Sequence, residues 1–186
     1  MSSPPSTRTI QIHAFRYKHD DAAAGKLTEH YERLRFGHVG ISVDGGNNIY
    51  GFTPRRPVYI SRKAFDRRLI KERECFLGKF MDDAIVFRIA AGLYGRPGED
   101  TIEIKHISES SFLEVKTRVK AIVNSLLDNV RYSLPPKKRG QRWELGCYNC
   151  ATFLGTLAGF LNIYPSGRLG DYMDRGTYAI TIFECR

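Results

Sequence analysis

From Thr9 to Tyr17, Ile10, Ile12 and Ala14 alternate with Gln11 and His13, the two-residue period of a half-buried strand. Phe36 to Val43 reads as a second strand and Asn48 to Thr53 as a third, separated by Asp44-Gly45-Gly46-Asn47. That connection has hairpin chemistry, because Asp, Asn and Gly accept the positive φ values that tight turns require. Ser61 to Phe80 mixes basic and apolar residues at near-helical spacing, and Ala84 to Ala91 and Thr101 to Ile107 read as strands flanking a turn-rich Gly95-Arg-Pro-Gly98. Ser111 and Glu114 form a capping box for a helix that lines up Phe112, Val115, Val119, Ile122, Leu126 and Val130 and stops before Pro135-Pro136. A second helix runs from near Asn149 to about Leu161, with Phe153, Leu154, Leu157 and Leu161 on its apolar side. Gly155 and Gly159 on that helix allow close packing against a sheet. Tyr178, Ile180 and Ile182 mark a closing strand over Thr177 to Phe183. Strands first, then two strong helices, predict one α+β domain on a mostly antiparallel sheet.

Composition supports this reading. At 186 residues, 42 % hydrophobic and 26 % charged, the chain suits one cored domain over 9–186 behind a disordered tail at 1–8. Disorder throughout, collagen and coiled coil are excluded on the same grounds. No run approaches the roughly 18 apolar residues needed to span a bilayer, so no integral membrane protein is expected. The N-terminus lacks the apolar core of a secretory signal. The expected localisation is cytoplasmic, or outside the cell by a route that needs no signal peptide.

Charge adds a surface property. Lys plus Arg number 29 and Asp plus Glu 20, so the formal net charge is 29 − 20 = +9. The excess gathers at Arg55-Arg56, Arg67-Arg68 and Lys137-Lys138-Arg139 with Arg142. Such loops would steer the protein toward anionic surfaces, although short charge runs are more often plain solvated loops, and no specific nucleic acid is expected.

Four cysteines, Cys75, Cys147, Cys150 and Cys185, are too few for a disulfide scaffold and read as thiols. Cys150 carries the most information, because it stands at a helix start with Asn149 in the capping position. Helix amides there stabilise a thiolate and would hold a developing oxyanion. Among five histidines, His38 sits on a strand between Gly37 and Gly40, with space beside its ring. A strand histidine by itself is more often structural; its pairing with a helix-start thiol raises it to a candidate for catalysis. The Cys147-x-x-Cys150 spacing raises zinc and dithiol chemistry. Zinc needs two more ligands and no second Cys/His pair is present, while a thioredoxin-like dithiol lacks its βαβ surroundings. Cys147 therefore reads as a buried small hydrophobe, and no metal or cofactor is expected. Gly45-Gly46 lies in a hairpin and not in a phosphate loop. Trp143 either packs under a loop or lines a substrate groove.

Two motifs carry a family resemblance. Gly37 to Tyr50 resembles the histidine hairpin of NlpC-type cell-wall peptidases, and Cys147-Tyr-Asn-Cys150-Ala-Thr-Phe153 resembles the nucleophile helix of circularly permuted papain-like proteins. That group includes the lecithin:retinol acyltransferase family and the deSUMOylating isopeptidases. The segment Ile163-Tyr164-Pro165-Ser166 is similar to the isopeptidase branch. The histidine precedes the cysteine, which is the permuted order. The resemblance implies a permuted papain-like fold, with Cys150 as nucleophile and His38 as general base and later acid. A third residue would orient the imidazole from the next strand, and the matching position is Tyr50 in place of the usual histidine. A three-residue turn at Asp44-Gly45-Gly46 puts Tyr50 on the face of His38, whereas a four-residue turn through Asn47 puts it on the opposite face. Asn48 is the second candidate.

The implied activity is cleavage of an amide or isopeptide bond in a peptide, protein or cell-wall substrate, through a thioacyl-enzyme. A bacterial effector would fit that description. The competing readings are a lipid acyltransferase or phospholipase using the same Cys-His pair, and a basic interaction module without catalysis.

Overall fold

A computed structural model describes residues 8–15, 38–88, 101–107, 109–125, 127–134 and 146–163. Among them, seven strands form one mixed sheet in the order β5-β1-β2-β3-β4-β6-β7. The strands are β1 (Arg8–Phe15), β2 (His38–Ser42), β3 (Tyr50–Pro54), β4 (Phe76–Asp82), β5 (Thr101–Ile107), β6 (Arg131–Tyr132) and β7 (Cys147–Tyr148). Every pairing is antiparallel except β6 with β7. The helices are α1 (Arg62–Asp66), which continues as a π-turn over Arg67–Lys71, a turn at 84–88, α2 (Glu109–Val123) and α3 (Cys150–Phe160). The α+β class read from the sequence is the class observed.

The alternation of the strands sorts side chains onto two faces. Ile12 pairs with Ile41, Ile41 with Tyr50, and Phe52 with Phe80, so these residues share a face. They are buried in one cluster with Val115 and Val119 of α2 and Leu154, Leu157 and Ala158 of α3. Phe153 fastens α3 to the sheet by stacking on Phe52 at 4.2 Å between ring centres. On the opposite face Gly40 pairs with Gly51, beside His38. Phe87, from the turn at 84–88, covers this second face, its ring 5.4 Å from that of His38 and 6.0 Å from that of His13.

Three elements differ from the expected ones. Residues 84–88 are helical, where Ala84 to Ala91 reads as a strand. The Asp82 carboxylate accepts from the Ala84 N–H at 3.0 Å, and the Asp83 carbonyl accepts from Val86 N–H at 2.8 Å, which starts a helical turn. The near-helical Ser61 to Phe80 divides: Ser61 caps α1 by accepting from Ala64 N–H, while Phe76–Asp82 is a strand with alternating burial. α2 ends at Val123 rather than near Val130, and Arg131–Tyr132 returns to the sheet. The tail at 1–7, the turn at 95–98, Pro135-Pro136, the basic residues from Lys137 to Arg142, Trp143, the 164–166 segment, the closing strand at 177–183 and Cys185 lie outside the described residues.

Candidate active site

Cys150 is the first residue of α3, and its position is set by a reciprocal cap. The Asn149 side chain accepts from Thr152 N–H at 2.8 Å, and the Thr152 hydroxyl accepts from Asn149 N–H at 2.9 Å. This fixes where the helix begins and leaves Cys150 in the first turn, whose N–H groups have no carbonyl within the helix. Cys150 is 1 % exposed.

His38, the first residue of β2, is 2 % exposed, and its Nε2–H donates to Asp83 Oδ2 at 3.0 Å. Asp83 is 1 % exposed. Its place is fixed from both sides: its N–H donates to the Ile49 carbonyl at 2.7 Å, extending the β3–β4 ladder, and its carbonyl opens the turn at 84–88. Gly51 makes the pair possible. A Cβ there would lie 2.5 Å from His38 Nε2 and 3.0 Å from Asp83 Oδ2, so only glycine leaves the ring and the carboxylate in place.

Electrostatics joins the three groups. Burial pulls the His38 pKa down, but the Asp83 hydrogen bond, the hydrogen bond and charge of Cys150, and the Asp83 charge outweigh it. The result is raised from 6.5 to about 9, so the ring carries a proton at neutral pH. With Nε2 turned to the carboxylate, Nδ1 is the ring nitrogen that remains to face Cys150. His38 and Cys150, 150 − 38 = 112 residues apart, are thus brought together.

Tyr50 is placed elsewhere. Its pairing with Ile41 is the register of the four-residue turn, and it turns the ring into the core near Phe80, on the face opposite His38. Asn48 is occupied in the turn: its side chain donates to Asp44 Oδ2 at 2.6 Å and its N–H to Oδ1 at 3.0 Å. The group that meets the imidazole is Asp83, which comes one strand further on than the hairpin that resembles the family motif. The sequence reading passes over it; the one signal for it is the Asp82-Asp83 pair that closes the alternating Phe76-x-Gly78-x-Phe80 run.

Cys147 is 6 % exposed, and its Sγ lies 3.2 Å from that of Cys75. Among the described residues no group of three or more His, Cys, Asp or Glu could hold a metal ion, and no helix is long and apolar enough to cross a membrane. The basic pairs bond within the protein: Arg67 meets Glu72, Arg68 meets Glu74 and lies over Phe76, and Arg56 donates to the Ile60 carbonyl. Neither protein-family models, curated proteins nor solved structures give a match to this chain.

Proposed function

We propose that this chain is a cysteine hydrolase of the permuted papain-like kind that cleaves an amide or isopeptide bond through a thioacyl intermediate. One observation carries the reading: a buried imidazole held between a buried carboxylate and a thiol at a helix N-terminus. Three such groups are costly to bury unless they are paired, and their arrangement is the one that activates sulfur.

The reaction begins with the thiol proton on His38. Sulfur attacks the substrate carbonyl carbon, and the oxygen that gains charge meets the N–H groups of the first turn of α3. The carbon–nitrogen bond then breaks, and His38 gives its proton to the departing amine. Water attacks the thioester, losing a proton to His38, and the carboxylate leaves Cys150 as it began. Asp83 acts on His38 alone, holding the ring in orientation and stabilising its charged form.

The test is to treat the full chain with an acyl-type activity probe and locate the adduct by mass spectrometry. An adduct on Cys150, lost in His38→Ala, is expected. The mass trapped from peptide and from phospholipid substrates separates amide hydrolysis from lipid acyl transfer. No adduct at Cys150, or one indifferent to His38, would overturn the reading.

A further inference from the structure

The nucleophile reading uses Cys150 and leaves two buried or half-buried thiols, Cys75 and Cys147, touching each other across the end of the sheet. Cys75 immediately precedes β4, and Cys147 opens β7; the short strand β6 pairs with both, through Phe76–Tyr132 and Arg131–Cys147. The two sulfurs, 3.2 Å apart, need approach by only about 1 Å to reach the roughly 2.05 Å of a disulfide. Cys147 is directed to this partner, while Cys150, three residues on, is directed to His38.

We infer that Cys75 and Cys147 are a redox-sensitive pair, closed to a disulfide by a low-molecular-weight disulfide of the glutathione type. The exchange balances. One thiolate attacks the small disulfide and releases one small thiol; the second then attacks the mixed disulfide, releasing another. Each cysteine loses a proton, the pair gives up two electrons, and the small disulfide takes them up as two thiols. The bond joins the two arms that carry the site. Cys147 lies three residues before the nucleophile, and Cys75 begins the strand that runs into Asp83. Closing it fastens the thiol-bearing segment to the carboxylate-bearing one and spares Cys150 itself.

The experiment incubates the full chain with oxidised glutathione, blocks remaining thiols, and maps the peptides without reduction. A Cys75–Cys147 cross-linked peptide is expected, with the loss of two titratable thiols and a melting midpoint raised by about 5 °C or more. Cys75→Ser and Cys147→Ser should each abolish the cross-link and the shift, and Cys150→Ser should keep both. A bridge from either cysteine to Cys150 or Cys185, a persistent mixed disulfide, or no loss of thiols would overturn the inference. The map and the thiol count do not depend on turnover, so their failure is distinguishable from failure of the hydrolase reading.

Discussion

Cys147 and Cys150 are separated by two residues, and the fold places them in unlike surroundings. Cys147 lies on a strand, where it meets a second thiol. Cys150 lies at a helix start against an imidazole that a carboxylate holds protonated. The chemistry of a thiol is set by what neighbours it in space: one pairing suits electron exchange with sulfur, the other nucleophilic attack on carbon. The C-x-x-C spacing, which suggests a single dithiol unit, is instead divided between two sites by the β7-to-α3 turn at Asn149.

The largest expected effect is the sharpest separation of the two. Cys150→Ala should lower the rate of substrate cleavage by about a thousandfold or more, with the melting midpoint little changed, while Cys147→Ser stays within a few fold. Steady-state kinetics on both variants checks this; equal losses would dissolve the distinction.

Gly51→Ala comes next. The new Cβ meets His38 Nε2 at 2.5 Å and must displace the ring or the carboxylate. We expect a loss of about a hundredfold in rate and about 1–3 kcal/mol in stability, seen in kinetics and denaturant unfolding, with Cys75–Cys147 chemistry untouched.

Asp83→Asn keeps the shape and removes the charge, so the His38 pKa falls. Activity in the wild type should decline above about pH 9, where the ring loses the proton it gives to the leaving amine, and the variant's decline should begin at lower pH. The same shift acts on stability. Because the folded-state pKa is raised from 6.5 to about 9, the proton's contribution is complete below 6.5 and is lost as pH rises to about 9. Melting midpoints across that window should fall in the wild type and change less in the variant.

Tyr50→Phe is the smallest. The hydroxyl belongs to a ring packed in the core near Phe80, so the rate and its pH profile should be unchanged within about twofold.

Much of this arrangement was legible in the residues. Strict alternation marked β1, the turn residues marked the hairpin, and Asn149 marked the start of α3, because caps, turns and two-residue periods are local physics. Asp83 was not legible, for two reasons. Ala84-Ile85-Val86-Phe87 is a short apolar run of the kind that suits strand or helix equally, and the Asp82 cap decided for helix. The Phe76–Asp82 strand followed a densely basic stretch that hid its alternation. The side on which Tyr50 falls depended on one residue of turn length, and Ser42, Asp44 and Asn48 fixed it: Gly46 N–H donates to Ser42 Oγ at 2.8 Å, and Asn48 to the Asp44 carboxylate. A one-residue slip moves every side chain of the strand to the other face.

The sequence distance between His38 and Cys150 has a consequence for how the molecule forms. Ribosomal synthesis releases β1 to β4 long before α3, so the growing chain holds the His38 imidazole and the Asp83 carboxylate before it holds Cys150, and before Phe153 is there to cover Phe52. Long-range contacts of this kind are slow to close, and the docked α3 both stacks Phe153 on Phe52 and covers Cys150. Protection of Cys150 from a pulse of alkylating reagent during refolding therefore reports the docking of α3, and a chain stopped before residue 150 holds His38 and Asp83 but has no thiol to set on the other side of the ring.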